Sequence, residues 1–166
     1  MDSIDLIILQ ELLKDCKKPI KQIAQKVNLS ITPVHERIKR MESSGVIQRY
    51  SAIIQPEELD LKLIVLMQIK LKDHKKDVLK NLEVEIKKFG EILEAYFIAG
   101  DYDVFLKVIL TGMDDYNDFV LERISTLTQI DSIKSSFAMK NILHEGRATH
   151  LMTPTNVSVL KRKKTP

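Results

Sequence analysis

Apolar residues recur at helical spacing through the first 50 positions of the chain, and this periodicity predicts three short helices. The first helix starts after Asp2 or Ser3, either of which can act as its N-cap. The second ends at Asn28, because asparagine tolerates the left-handed conformation that closes many helices. The third starts at Ser30 or Thr32. Three short helices, with about four residues between the second and the third, are typical of a helix-turn-helix.

From residue 63 to residue 143 the pattern alternates between strands and helices in the order β-α-β-β-α-β. Two of the strands meet at a turn around residues 100–102. This order predicts an α+β fold of the ferredoxin-like (ACT-like) class. Such a sheet has one face under its helices, and we expect a second copy of the chain to cover the other face. The inward residues of the first strand are predicted to be Val65, Met67, Ile69 and Leu71.

A connector joins these two patterns. The stretch "VIQRYSAIIQ" alternates in a way that predicts a strand, and the following "PEELDLK" is typical of a turn. We therefore predict four parts. They are a (winged) helix-turn-helix domain at residues 1–50, a connector strand and hinge at 51–62, a βαββαβ domain at 63–146 and a basic tail at 147–166.

The net charge of +3 is distributed unevenly along the chain. Residues 1–50 carry nine Lys or Arg against six Asp or Glu, residues 51–146 carry twelve against seventeen, and residues 147–166 carry five against none. Two basic ends beside an acidic middle favour a polyanion as the partner of the ends.

Composition and missing motifs exclude several functional classes. The lone Cys16 cannot form an intrachain disulfide, and the histidines lack the spacing of a metal site. No run of about twenty apolar residues predicts a membrane span, and the acidic N-terminus is unlike a signal peptide. No nucleophile with a plausible histidine appears, so no catalytic residue is predicted. We expect a cytoplasmic, nucleoid-associated protein that is not an enzyme and holds no metal or cofactor.

The third N-terminal helix has one apolar and one polar face. Val34, Ile38 and Met41 recur at spacings of four and three residues and are expected to pack against the other two helices. The N-terminal end of such a helix touches base edges in the major groove, while cations farther along suit phosphates. The residues predicted to contact DNA are Ser30, Thr32, His35, Glu36, Arg37, Lys39 and Arg40.

Arg37 lies at the border between the two faces of this helix. It stands three residues after Val34 and four before Met41, and two interpretations of its role stay open. Its guanidinium either pairs with a buried partner, for which Asp5 is a candidate, or contacts a DNA phosphate.

The turn "GDYD" at residues 100–103 is a second candidate site. A glycine-aspartate pair is a common hairpin signal and needs no ligand. A free amino acid nonetheless suits such a turn, since it brings an ammonium and a carboxylate close together. Asp101 or Asp103 can pair with the ammonium, and exposed N–H groups at Gly100 can bind the carboxylate.

Three segments, in order, resemble the Lrp/AsnC (feast/famine) family of transcription regulators. "MDSIDLIIL" is similar to the family's opening Leu-Asp-x-x-Asp-x-x-Ile-Leu, with Met1 in place of Leu. "IAQKVNLSITPVHERIKRMESSGVI" resembles its helix-turn-helix, and "AGDYDVFLKV" resembles a turn of its C-terminal domain, with Val104 in place of a usual aromatic. Arg49 and Asp60 replace family glycines around the connector, so a different hinge geometry is expected.

The resemblance implies an N-terminal domain that binds double-stranded DNA and a C-terminal domain that binds a free amino acid. It also implies homodimers built through the open sheet face, often assembled into octamers of four dimers, with the amino acid between dimers. Some effector-binding residues would then come from a neighbouring subunit. The positions that match the family's effector pocket are Phe97, Gly100, Asp101, Tyr102, Asp103, Met113, Ser136, Phe137 and Ala138.

The main prediction is a sequence-specific transcription regulator whose DNA binding or assembly responds to an amino acid. Two alternatives stay open. A non-specific DNA-architectural protein would need the basic domain but no reading of base edges. An amino-acid-sensing subunit of a metabolic enzyme would have no use for the N-terminal domain.

Overall fold

A computed structural model describes residues 1–140 and residue 142, which form two compact units. One unit covers residues 1–53, and the other covers residues 54–142. The basic tail predicted at residues 147–166 lies outside the described residues. In the described part of the chain, no helix is both long and apolar enough to cross a bilayer.

The first unit consists of the three predicted helices, α1 (Ser3–Lys14), α2 (Ile20–Lys26) and α3 (Ile31–Ser43). Asp2 caps α1 in a capping box, because its carboxylate accepts from the Asp5 N–H while the Asp5 carboxylate accepts from the Asp2 N–H. Ser30 is the N-cap of α3, which decides between the two predicted starts. The core of this unit is formed by Ile8, Leu9, Ile23, Ala24, Val34, Ile38 and Met41.

Residues with positive φ end the second and third helices. Asn28 has a φ of 54°, as predicted, and the next N–H, that of Leu29, bonds to the Ala24 carbonyl at 3.0 Å. Gly45 has a φ of 72° just beyond α3, and the Ile47 N–H bonds to the Met41 carbonyl at 3.0 Å. Both helix ends are therefore closed by backbone hydrogen bonds.

The strand predicted for residues 46–55 does not form in the single chain, so that part of the connector prediction is wrong, whereas the turn predicted from residue 56 onwards is present. The regular structure of this segment is a 3-10 turn, Pro56–Leu59. An alternating segment becomes a strand only where a neighbouring strand accepts its hydrogen bonds, and no such neighbour occurs among the described residues. Asp60 has a φ of 60°, a left-handed conformation that aspartate tolerates. The hinge thus keeps, at this residue, a conformation that glycine would also favour.

The second unit is a four-stranded antiparallel sheet with helices on one face. Its strands have the order β2-β3-β1-β4, which is that of the predicted βαββαβ sandwich. The second predicted helix is regular only in its first part, since a π-helical turn (Phe119–Arg123) and a 3-10 turn (Ile124–Thr126) follow it. The elements are β1 (Leu63–Leu71), α4 (Lys76–Ile86), β2 (Ile92–Phe97), β3 (Val104–Leu110), α5 (Met113–Asp118) and β4 (Ile130–Phe137).

The helix-covered face of the sheet carries the core, as the alternation along β1 predicts. All four inward residues of β1 are buried, and each second residue between them is partly exposed. Because side chains alternate along a strand, this pattern determines which face of the sheet each residue of β1 occupies. The core residues contributed by the other elements include Leu82, Ile86, Leu106, Val108, Phe119, Ile124 and Leu127.

The opposite face of the sheet is left open in the described chain. Leu66, Lys107 and Glu94 form one cross-strand row on this face, and Phe105 and Tyr96 belong to the next. Glu94 accepts from the Lys107 ammonium at 3.0 Å and from the Tyr96 hydroxyl at 2.8 Å. The face therefore combines partly exposed apolar groups with a paired polar cluster.

Candidate DNA-binding and effector-binding sites

The exposed and buried positions of α3 follow the predicted division. Val34, Ile38 and Met41 expose between 0% and 6% of their surface. The side chains at the N-terminal end of the helix make no hydrogen bond to any described residue, so they are available to a partner. The exposed residues of the predicted DNA-binding set are Ser30, Thr32, His35, Glu36, Lys39 and Arg40.

Arg37 is held by two carboxylates of α1. Its Nη1 donates to Asp5 Oδ1 at 2.7 Å and to Asp2 Oδ2 at 2.6 Å. Burial favours the neutral form of Asp5, but the Asp2 N–H and the Arg37 guanidinium outweigh it and hold the pKa of Asp5 below its ordinary value. The structure therefore shows the first of the two predicted roles of Arg37, which is pairing with a buried partner.

Arg40 shares the same buried carboxylate. Its Nη2 lies 3.0 Å from both oxygens of Asp5, while 61% of its side chain stays exposed. Sequence reasoning missed this contact, although the spacing of Arg37 and Arg40 puts both on one side of α3. Lys39 is also exposed and forms no ion pair with any described residue. Of the three cations on α3, Lys39 is thus the one without a carboxylate partner among the described residues.

Glu11 forms a second buried anchor on α1, which sequence reasoning also missed. Only 2% of its side chain is exposed, and it accepts from Lys18, from Lys26 at 2.6 Å and from Lys14 at 3.2 Å. The hydrogen bonds from Lys18 and Lys26 lower the pKa of Glu11 to about 2. Since Lys26 belongs to α2, Glu11 fixes α2 to α1 in the same way that Asp5 fixes α3.

Four cations of the first unit carry no carboxylate partner among the described residues and are exposed. Glu11 neutralises only one of the three lysine charges around it, so that cluster stays positively charged, and the four unpaired cations add to the charge that a polyanion would meet. These four are Lys17, Lys21, Lys39 and Arg49.

The nine predicted effector residues lie at two opposite corners of the sheet. Phe97 pairs with Val104 at the end of β2, beside the hairpin at residues 98–103. Phe137 pairs with Val65 at the far end of β4, the other edge strand. These rows are four residues apart along β1 and three strands apart across the sheet, which separates the corners by about 20 Å. A single chain therefore does not bring the nine residues together.

Both corners expose apolar surface. Phe97 is 53% exposed at the first corner, and Met113 and Phe137 are 51% and 44% exposed at the second. The ring of Phe137 contacts Tyr116 edge-on, with centroids 5.1 Å apart, and Met113 lies one turn before Tyr116 on α5. The remaining predicted residues of the second corner are Ser136 and Ala138.

The two aspartates of the hairpin have different environments. Asp103 accepts from the Leu71 N–H at 2.8 Å and lies 2.9 Å from His74 Nε2 and 3.6 Å from Lys70 Nζ. The Leu71 N–H is the main cause that lowers the pKa of Asp103. Asp101 is exposed and makes no hydrogen bond or ion pair with any described residue. Asp103 thus anchors the hairpin to β1, whereas the carboxylate of Asp101 has no partner among the described residues.

Family models match both units. One described as "Winged helix-turn-helix DNA-binding" matches residues 1–48, and one described as "Lrp/AsnC ligand binding domain" matches residues 64–148. The chain belongs to the Lrp/AsnC family. It is accordingly a DNA-binding transcription regulator and not an enzyme, which confirms the main prediction. Among the described residues, no group of three or more His, Cys, Asp or Glu side chains could hold a metal ion.

Relatives of similar length support the assignment to the Lrp/AsnC family. The proline dehydrogenase transcriptional activator of Rhodobacter capsulatus is 32% identical over 146 residues, which cover 88% of this chain and 95% of the relative. The leucine-responsive regulatory protein of Escherichia coli is 32% identical over 147 residues, covering 89% of this chain and 90% of the relative.

Solved structures of the same family match the fold. An AsnC family transcriptional regulator from Agrobacterium tumefaciens has a TM-score of 0.84 at 33% identity, covering 89% of this chain and 95% of that chain. A transcriptional regulator from Neisseria meningitidis, solved in complex with L-methionine, has a TM-score of 0.85 at 26% identity, covering 95% and 99%. The predicted α+β fold class is thereby confirmed.

Proposed function

We propose that this regulator reads a specific duplex sequence with α3 and that a free amino acid changes its DNA binding or its assembly. The observation that carries the first part is the exposed face of α3, whose N-terminal side chains have no partner among the described residues. Exposed polar groups at that end of a recognition helix are placed for base edges. The unpaired Lys39 lies farther along, where a phosphate contact is expected.

Specific roles follow from the chemistry of each side chain. Ser30, Thr32 and His35 offer donors and acceptors to base edges, and Glu36 can accept from the amino group of a cytosine. Lys39 and the exposed part of Arg40 contact phosphates, whereas Arg37 positions the helix through its two carboxylate partners.

A homodimer supplies the second recognition helix. Two copies joined through the open sheet face would present two such helices to successive major grooves, about 34 Å apart. The apolar groups Leu66 and Phe105 favour burial of this face, and the Glu94–Lys107 pair satisfies its charges internally. We further propose that four dimers assemble into an octamer and that the protein works in the cytoplasm, associated with the nucleoid.

The amino-acid site forms between two copies, where the sheet corner that carries Phe97 in one copy meets the corner that carries Phe137 in the other. Phe97 of one copy and Phe137 of another would line the side chain of the ligand. Asp101 pairs with its ammonium, and the N–H groups near Gly100 bind its carboxylate. Two structural neighbours are described as complexes with L-methionine, which supports an amino acid as the class of ligand.

The coupling between the sites follows from linkage. An amino acid bound between copies can alter DNA affinity only if it favours one assembly or orientation of the copies over another. By the same linkage, DNA must alter the affinity for the amino acid by the same factor.

The test is selection of bound fragments from a pool of random duplex DNA, repeated with each amino acid added. The proposal expects a roughly palindromic consensus, and at least one amino acid should change the affinity for it. Retention of all sequences alike would indicate a DNA-architectural protein instead. A consensus whose affinity no amino acid changes would overturn the effector part alone.

A further inference from the structure

Ile31 is a large apolar residue that α3 leaves exposed. It is the first residue of the helix and begins the apolar series that continues at Val34, Ile38 and Met41. The three later residues expose 6% or less of their surface, whereas Ile31 exposes 50%. The series therefore extends beyond the core of the unit at the end of the helix that is proposed to enter the groove.

This exposure is separate from the other apolar surface of the first unit. Leu13, Val46, Tyr50 and Ile53 are also exposed, but all four line one groove between the end of α1 and residues 46–53. Ile31 does not line that groove. Among the described residues of the unit, Ile31 and the terminal Met1 are the exposed large apolar residues that lie outside this groove.

The surroundings of Ile31 are those of a reading surface. Its chain neighbours Ser30 and Thr32 are exposed and make no side-chain hydrogen bond to a described residue, and His35 is exposed one turn farther on. A β-branched side chain in a helix has one strongly preferred rotamer, so Ile31 presents its methyl groups in a nearly fixed direction. A fixed apolar group among unpartnered polar ones suits a surface that discriminates between bases.

We propose that Ile31 is a specificity-determining residue that contacts the C5-methyl group of a thymine. This inference rests on the proposed reading of duplex DNA by α3. Of the groups that base pairs present in the major groove, the thymine methyl is the apolar one. Ile31 would gain by contact with it and would leave the polar edges of other bases without a hydrogen-bonding partner.

The test uses the duplex that wild-type protein selects, with each thymine replaced singly by uracil, which differs only by the missing methyl. For wild-type protein, one such replacement in each half-site should weaken binding about fourfold, the effect of losing one buried methyl group. For Ile31→Ala the same replacement should have no effect, and the affinity of this variant for the thymine duplex should match that of wild type for uracil.

Val46→Ala is the matched control. Val46 is also 50% exposed in the same unit, but it lines the protein groove between the end of α1 and residues 46–53. It should keep the wild-type sensitivity to uracil. Uracil effects that are the same in wild type and Ile31→Ala, or a selected half-site without thymine, would overturn the role of Ile31 while the reading by α3 stands. Failure of wild-type protein to select any sequence would overturn both. Thermal unfolding of each variant reports whether a change in binding stems from lost folding.

Discussion

The Arg37 guanidinium lies 2.7 Å from the carboxylate of Asp5, a residue of α1 that is only 1% exposed. This contact joins the recognition helix to the first helix of the unit, and Arg40 adds a second link to the same carboxylate. A buried carboxylate without its cations would be strongly unfavourable, so the two helices are held in one arrangement. The orientation of the exposed face of α3, which is proposed to read DNA, is therefore set by α1.

Lys39→Gln should lower the steepness with which DNA affinity falls as salt rises. Each phosphate contact contributes about one unit to the slope of log affinity against log salt, and Lys39 has no competing carboxylate among the described residues. The slope, measured by fluorescence anisotropy over a salt series, should fall by about one. Lys80→Gln, at an exposed lysine of α4, is the control and should leave the slope unchanged. An equal slope in wild type and Lys39→Gln would remove this phosphate contact.

Glu11 should make the protein lose stability in acid. Its pKa of about 2 in the folded chain lies below the ordinary value of 4.5. A carboxyl with a lowered folded pKa stabilises the fold above its ordinary pKa, and this stabilisation is lost as pH falls from 4.5 towards about 2.

Glu11→Gln should therefore reduce the free energy of unfolding at neutral pH by about 2 kcal/mol, because charged hydrogen bonds are replaced by neutral ones. The difference between the variant and wild type should shrink in acid. Urea unfolding at several pH values measures both effects. A difference that stays constant from neutral pH down to the acid range would show that the three lysines do not stabilise the charged form of Glu11.

Asp101→Asn and Asp103→Asn should affect different properties. Asp101→Asn should abolish the response of DNA binding to the amino acid while leaving the melting temperature unchanged, since Asp101 has no partner among the described residues. Asp103→Asn should lower the melting temperature, because its carboxylate anchors the Leu71 N–H and His74. Differential scanning calorimetry and effector titration separate the two. A full effector response in Asp101→Asn would assign the ammonium to another group.

Phe97→Ala and Phe137→Ala should complement each other if the effector site is shared between copies. Each variant alone removes one side of every site and should not respond to the amino acid. After mixed refolding, some sites should combine the intact Phe137 of one variant with the intact Phe97 of the other. Part of the response should then return, as measured by ligand titration of the mixture. A mixture that responds no better than either variant alone would contradict an effector site lined by Phe97 of one copy and Phe137 of another.

The periodicity of residues 1–50 and the order of strands and helices over residues 63–143 predicted the architecture of both units, and β1 shows why. Val65, Met67 and Ile69 are fully buried because strand geometry gives every second side chain the same face, a local rule that sequence shows directly. The same rule failed in the connector, where residues 46–55 alternate but have no neighbouring strand among the described residues. Whether a segment finds a strand to pair with depends on the rest of the assembly, and a local pattern of residues does not show this.

The candidate sites could be predicted only in part, for a similar reason. The exposed face of α3 followed from spacing, but the contact between Arg40 and Asp5 joins residues 35 positions apart. The resemblance supplied the nine effector positions, yet only the strand register shows that Phe97 and Phe137 occupy opposite corners. The different states of Asp101 and Asp103 depend on a backbone N–H of β1 that no motif reveals.

The central claim is that the exposed face of α3 reads base edges, and selection from random duplex DNA with the variants Thr32→Ala and His35→Ala tests it most directly. Both residues are exposed on α3, and neither side chain makes a hydrogen bond or an ion pair with a described residue. Each variant should select a consensus that differs from that of wild type at one position in each half-site, with overall affinity for random DNA unchanged. Consensus sequences identical to that of wild type for both variants would contradict the claim.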